Sequence, residues 1–244
     1  YQAREEIAMK KMMDDEGCKA FSNTFQDLYG MRQLPGLASQ HLMAQGYGYG
    51  GEGDWKVAAM TAIMKAMSEG QNGGTAFMED YTYHLVKGNE YSLGAHMLEV
   101  CPSVAAERPR IEVHPLGIGD REDPARLVFE GHAGSAIVVS LIDMGGRLRL
   151  ICQDIECVKP IMDMPNLPVA RVMWRAMPDL TTGLTCWITA GGAHHTTLSY
   201  DVTAEQMRDW ARMMDIEFVH ITKDTTVEGL EHDLFLSDLA WKLK

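Results

Sequence analysis

Apolar positions change their period along the chain, and the change separates two textures. From Tyr1 to about Leu93 helical and strand-like segments alternate. Ala3–Met13 already has helical spacing. The clearest helix opens at Asp54, a capping residue, carries Met60, Ile63, Met64 and Met67 on one face, and has Gly70 beyond its end. From Ile111 to about Val158 the runs become strand-like. Ala136–Asp143 and Arg147–Cys152 flank Met144-Gly145-Gly146, which predicts an antiparallel hairpin. Leu167–Tyr200 carries mixed signals. The spacing then predicts a helix over Thr203–Met214, a strand over Glu217–Ile221 and an amphipathic helix over Glu228–Leu243. No repeat or low-complexity linker interrupts the pattern, so the expected division is an α/β region over residues 1–105 and a β-rich region over 106–244, with a soft boundary.

Composition narrows the partners. With 244 residues, 46% of them hydrophobic, the chain can bury a substantial core. Its 34 acidic residues against 22 basic ones give a formal net charge of −12, which argues against nucleic acid and anionic membrane as partners. The 5 cysteines are odd in number and include no C-x-x-C pair, which fits a reducing, cytoplasmic compartment. No apolar run reaches the ~18 residues that span a bilayer, and no basic-then-apolar leader opens the chain. Because the chain opens at Tyr1 on a segment that is already helical, it is expected to be part of something longer.

The stretch Gly46-Tyr-Gly-Tyr-Gly-Gly-Glu-Gly-Asp-Trp-Lys56 matches G-x-G-x-x-G at Gly46, Gly48 and Gly51. A pyrophosphate loop needs backbone N–H groups aimed at an anion, yet Glu52 and Asp54 stand where the phosphates would sit. The acidic residue such a fold wants about 20 residues on falls inside or just past the Asp54 helix. A dinucleotide oxidoreductase is therefore a weak alternative. Asp54 reads as a helix cap, whereas Glu52 lies in a glycine loop at the edge of an α/β unit, where sites tend to be built.

Three further stretches are rich in proton-transfer and metal-ligand types: Phe77–His84 with Glu79 and Asp80, Gly94–Pro102 with His96, and Gly191–Thr197 with His194 and His195. Each has an ordinary structural explanation on its own. None contains a local H-x-x-x-H or C-x-x-C ligand pair, so spacing alone does not assemble them.

Taken together and in order, these stretches resemble the L-arabinose isomerase family. The resemblance is carried by Tyr47-Gly-Tyr-Gly-Gly-Glu-Gly-Asp-Trp-Lys56, Gly73–His84, Leu93–Ser103, Leu116–Gly119, Asp123–Arg126 and Ala190–Thr196, and begins as early as Phe25-Gln-Asp-Leu28. It implies interconversion of L-arabinose and L-ribulose, and often of D-galactose and D-tagatose, with a divalent metal, usually Mn²⁺, Co²⁺ also fitting the donor set. By the same resemblance Glu52, Glu79, His96 and His195 are the metal ligands, and Glu52 and Glu79 the acid/base pair that moves a proton between C2 and C1 through a cis-enediol. Phe25, Tyr81 and Ile118 would line the sugar pocket, with Met97 beside it and His194 near the metal. Two carboxylates with two imidazoles suit Mn²⁺ or Co²⁺ better than an all-oxygen or thiolate site would.

The expected fold is a partial Rossmann-like α/β layer followed by an antiparallel β-barrel-like C-terminal domain, with the metal site in the cleft between them. Family members are about twice this length, which places a further domain before Tyr1. Without that cover, exposed apolar surface is expected to drive homo-oligomer formation. The alternative function is a non-catalytic metal- or sugar-binding remnant of the isomerase fold.

Overall fold

The computed structural model describes residues 1–243. The first part holds helix α1 (Gln2–Glu16), strand β1 (Ala20–Asn23), helix α2 (Gly36–Ala44), strand β2 (Gly48–Gly51) and helix α3 (Trp55–Met67). β1 and β2 pair in parallel, from Ala20 opposite Gly48 to Asn23 opposite Gly51, with α2 as the crossover that parallel pairing requires. This is an α/β unit of two strands, and two strands do not identify a Rossmann-type layer.

The glycines of β2 have a packing purpose. A Cβ on Gly48 would stand 2.2 Å from the Ala58 carbonyl oxygen, and one on Gly50 2.2 Å from that of Asp54. Only glycine lets α3 lie this close to the strand. The Asp54 carboxylate caps α3 as expected, accepting from Val57 N–H at 3.2 Å. Met60 and Met64, from the predicted apolar face, are fully buried in one cluster with Val139, Leu150 and Met207. Their burial stabilises by roughly 2 kcal/mol each.

The second part is built from strands β3 (Thr75–His84), β4 (Tyr91–Ala95), β5 (Arg110–Val113), β6 (Ala125–Val128), β7 (Gly134–Asp143), β8 (Leu148–Val158) and β9 (Arg171–Ala176), then helix α4 (Leu180–Thr189), strand β10 (His195–Ser199), helix α5 (Ala204–Met213), strand β11 (Glu217–Ile221) and helix α6 (Val227–Lys242). Six antiparallel strands close a barrel in the order β8-β7-β10-β3-β4-β9, the last returning to β8. The closure works because β8 is long. Its first half pairs in parallel with β11, and its second half pairs with β9, Ile155 opposite Ala176 through Val158 opposite Met173. The predicted hairpin is β7–β8, turning at Gly145 with φ +85°. β5 and β6 form a separate two-stranded ribbon.

Alternation along the barrel strands sorts two faces. Met78, Asp80, Ser92, Gln153, Trp174 and Thr196 face the interior, where Trp174 crosses so close to Gly94 that a Cβ there would be 2.0 Å from its ring. Phe77, Glu79, Thr197 and His195 face outward, toward α3, and a 2.9 Å hydroxyl contact between Thr61 and Thr197 ties that helix to β10. The antiparallel barrel begins at β3, directly after α3, ahead of the change of texture that suggested a division near residue 105. β3 and β4 follow a helix in sequence and share the first part's composition, but their partners lie far along the chain.

Candidate metal centre

Three strand ends and one tight turn converge where α3 meets the barrel. Glu79 on β3 and His195 on β10 are direct register partners, so their side chains share the outward face. Glu79 also pairs with Ala95 at the end of β4, which sets His96 immediately beyond that strand. Glu52 enters from the other side, on the turn after β2 that closes with Asp54 N–H donating to the Gly51 carbonyl at 2.9 Å. Its φ is +55° and that of Gly53 +82°, so a non-glycine residue is held in the left-handed region at the centre of the site. Gly51 makes room for an imidazole: a Cβ there would be 3.0 Å from His96 Nε2.

Donor atoms of Glu52, His194 and His195 lie within 4.8 Å of one another, and these three residues form a candidate metal-holding cluster. His195 Nε2 is 3.7 Å from a Glu52 carboxylate oxygen. His194 Nε2 is 3.8 Å from Glu79. The rings of His96 and His195 have centroids 5.9 Å apart, and both pack against Phe77, at 4.9 and 5.3 Å. The four residues Glu52, Glu79, His96 and His195 thus lie near one another, with Glu79 opposite His195 in register and near His194, and His96 edge-on to both His195 and Phe77. His194, expected beside the metal, stands in the tightest cluster.

Two further carboxylates orient the histidines. Glu99, itself buried, contacts His96 Nδ1 at 2.5 Å. Asp54 adds a second task to capping: its other oxygen lies 3.5 Å from His195 Nδ1. A carboxylate at Nδ1 leaves Nε2 as the free donor, which is how metal-binding imidazoles are commonly presented. His195 Nε2 is buried and has no hydrogen-bond partner among the described residues. An orphaned imidazole nitrogen facing carboxylates fits a divalent cation with mixed nitrogen and oxygen ligands.

The electrostatics agree. Burial would lower the pKa of His96, but Glu99, with Glu79 and Glu52 behind it, raises it overall. Burial would raise that of Asp54, yet the His195 contact, the Val57 N–H and Lys56 hold it below the ordinary value. Burial raises Asp80, and burial together with Glu99 and Glu52 raises the Tyr49 hydroxyl well above its usual range. The centre is a place of negative potential.

Of the expected sugar contacts, Phe25, Met97 and Ile118 line one hollow together with Glu52, His96 and Glu99. Its enclosed volume is about 20 Å³, room for one water, so a sugar reaching Glu52 would occupy the open mouth. Tyr81 lies outside this hollow, at the β-bulge between Asp80 and Thr82, and is half-exposed. Sequence reasoning missed Glu99 and the second role of Asp54. The spacing of three between His96 and Glu99 was a signal, but only the turn after β4 makes it a contact.

Comparison with known proteins completes the description. Residues 1–70 match the L-arabinose isomerase central domain and residues 74–217 the L-arabinose isomerase C-terminal domain. The chain is 59% identical over 243 residues to L-arabinose isomerase 1 of Bacillus licheniformis, covering 100% of this chain and 49% of that one. It is 56% identical over 241 residues to the L-arabinose isomerase of Geobacillus stearothermophilus, covering 99% and 48%. With that of Bacillus subtilis it shares 54% over 243 residues, covering 100% and 49%. The chain therefore spans about half the length of the curated relatives it matches. No helix among the described residues is long and apolar enough to cross a membrane. Matched over both of these domains, and more than half identical to relatives along its whole length, the chain belongs to the L-arabinose isomerase family.

Proposed function

We propose that this chain is the metal-holding and sugar-facing part of an L-arabinose isomerase, interconverting L-arabinose with L-ribulose and also D-galactose with D-tagatose. Support comes from the buried, partnerless Nε2 of His195, which faces Glu52 from a strand whose register also brings in Glu79. Glu52, Glu79, His96 and His195 would hold the cation, Mn²⁺ or Co²⁺, with His194 beside them. Such a cation would supply Lewis acidity toward the open-chain sugar. Glu52 and Glu79 then divide the proton work: one carboxylate takes the proton from C2 and returns it to C1, and the other relays the hydroxyl proton as the cis-enediol forms and collapses. Asp54 and Glu99 hold the two imidazoles at Nδ1. Phe25, Met97 and Ile118 form the apolar wall, with Tyr81 and His194 at the rim. The division that matters for function runs between the turn carrying Glu52 and the barrel carrying Glu79, His96 and His195.

We place the protein in the cytoplasm, as a homo-oligomer. Exposed apolar side chains such as Phe235 and Leu236 on α6 and Ile111 and Val113 on β5 support association.

A second reading, a remnant that binds metal or sugar without turnover, is favoured by the small enclosed hollow and the half-length match. A coupled ketose-formation assay on the 244-residue chain, with L-arabinose and added Mn²⁺, separates the two. Ketose formation dependent on Mn²⁺ and lost in Glu52→Gln and Glu79→Gln is the expected result. A chain that takes up Mn²⁺ in a thermal-shift titration yet forms no ketose overturns the catalytic reading in favour of the remnant.

A further inference from the structure

We propose that the cleft between the β5–β6 ribbon and the start of β9 binds a small phosphate-bearing molecule. The cleft has a volume of about 320 Å³ and shares no lining residue with the hollow at the metal centre. That volume falls at the lower end of ordinary small-ligand sites. Its walls combine apolar surface from Val128, Phe129 and Pro160 with four cations: Arg108, Arg110, Lys159 and Arg171. Two carboxylates, Glu107 and Glu130, also line it and Glu112 pairs Arg110 from beside it, which still leaves a positive excess of one in a protein whose formal net charge is −12. Solvent screening over about 8 Å keeps the rest of the acidic surface from cancelling such a local excess.

The four cations fall into two kinds. Arg171 and Arg110 are already engaged. Arg171 bonds Glu130 at 2.7 Å and the Leu167 carbonyl at 3.2 Å, and Arg110 bonds Glu112 at 2.8 Å. Arg171 is nonetheless unsaturated, because its Nε is buried without a partner. Arg108 and Lys159 are exposed, and among the described residues neither has an ion-pair partner. They stand on separate segments, before β5 and just after β8. Elsewhere in the cleft wall the backbone is fixed by Ala106 N–H on the Glu130 carbonyl and Gly131 N–H on the Arg171 carbonyl, both at 2.8 Å. A guanidinium fork and an ammonium point charge, both unpaired, match the two charges and several oxygens of a phosphate group. The apolar wall accommodates the remainder of an organic phosphate.

The test uses the 244-residue chain and three probes in melting-temperature and calorimetric titrations at constant ionic strength: inorganic phosphate, glucose 6-phosphate and neutral glucose. Saturable binding of either phosphate, not reproduced by glucose, is expected. Tighter binding of the sugar phosphate identifies an organic phosphate as the ligand, and equal binding identifies phosphate itself; both uphold the site. The double variant Arg108→Gln/Lys159→Gln is expected to bind about tenfold more weakly or worse, since two charge-assisted contacts are lost. In the unmodified protein the bound phosphate should also protect Lys159 from acylation, read by mass spectrometry, which does not depend on the variant folding. No saturable response, a response equal for glucose, a response undiminished in a folded double variant, or an unprotected Lys159 at saturation overturns the proposal.

Discussion

The two sides of the candidate metal centre are built differently. His195 is presented by a strand in the middle of a closed barrel, its side chain only 7% exposed and its register set by five paired residues with β3. Glu52 is presented by a turn, its side chain 42% exposed and its backbone in the left-handed region. A closed barrel has no edge that can slip, so the histidine side is fixed by the fold. The turn is tied by Gly53 N–H on the Asn23 carbonyl at 3.2 Å and Trp55 N–H on the Gly53 carbonyl at 2.8 Å, and it carries backbone strain at Glu52. What differs is the device: pairing register places the imidazole, and a locally bonded turn places the carboxylate.

The largest effect should come from removing the ring that joins the sides. Phe77 is fully buried, touches Tyr49 of β2 edge-on at 5.2 Å and both imidazoles on the barrel side. Phe77→Ala is expected to cost about 3–5 kcal/mol in urea unfolding, because it removes a fully buried ring from the core. It should also loosen metal uptake. An unfolding midpoint near that of the unmodified chain would mean that the sides are joined elsewhere.

His195→Ala should leave the fold closer to intact while weakening Mn²⁺ binding by more than about a hundredfold, beyond what loss of an outer-shell partner causes. His194→Ala should retain more of the Mn²⁺-dependent thermal shift, since its side chain is 58% exposed and Nε2 already faces Glu79. The reverse ranking in a thermal-shift titration would exchange their roles.

Asp54 spans both sides, capping α3 and reaching His195. Its pKa is held below the ordinary 3.8, the His195 contact, Val57 N–H and Lys56 outweighing burial. A depressed carboxylate contributes stability that is fully present above 3.8 and lost as the pH falls through the lower folded value. Asp54→Asn should flatten that acid limb in a melting-temperature profile at pH 2–5, at a neutral-pH cost of about 1 kcal/mol or less because asparagine still caps. An unchanged limb would detach Asp54 from His195.

Smallest, and opposite in sign, is Glu52→Gly. Glycine relieves the positive φ, so the metal-free chain should gain up to about 1 kcal/mol while losing its Mn²⁺ response. A metal-free chain made less stable would show that the Glu52 side chain holds the turn, and that the turn carries no strain to release.

Local chemistry was enough to read much of this molecule from its sequence. The Asp54 cap, the methionine face of α3, the β7–β8 hairpin and the capped C-terminal helices depend on neighbours within a few residues, and the structure has them where spacing placed them. The glycine stretch was legible in part: the carboxylates spoke against a phosphate loop, but only the contact of α3 with β2 gives Gly48 and Gly50 their reason. Residues of the site were named through resemblance to a family, not through spacing, because Glu52, Glu79, His96 and His195 are spread over more than half the chain. Their meeting depends on register, and register is set by the whole circuit of strands. For the same reason β3 and β4 could not be assigned to the barrel in advance, since both follow a helix, and β4's partner β9 comes about 80 residues later and β3's partner β10 about 120 residues later. Sequence by itself determined the elements whose signals are local, while Leu167–Tyr200, where the structure has β9, α4 and β10, stayed ambiguous because its strands pair with distant segments. Only tertiary structure decided that Glu99 turns back onto His96, that Asp54 reaches His195, and that an imidazole nitrogen is left buried among carboxylates, because burial and partnership belong to positions in space.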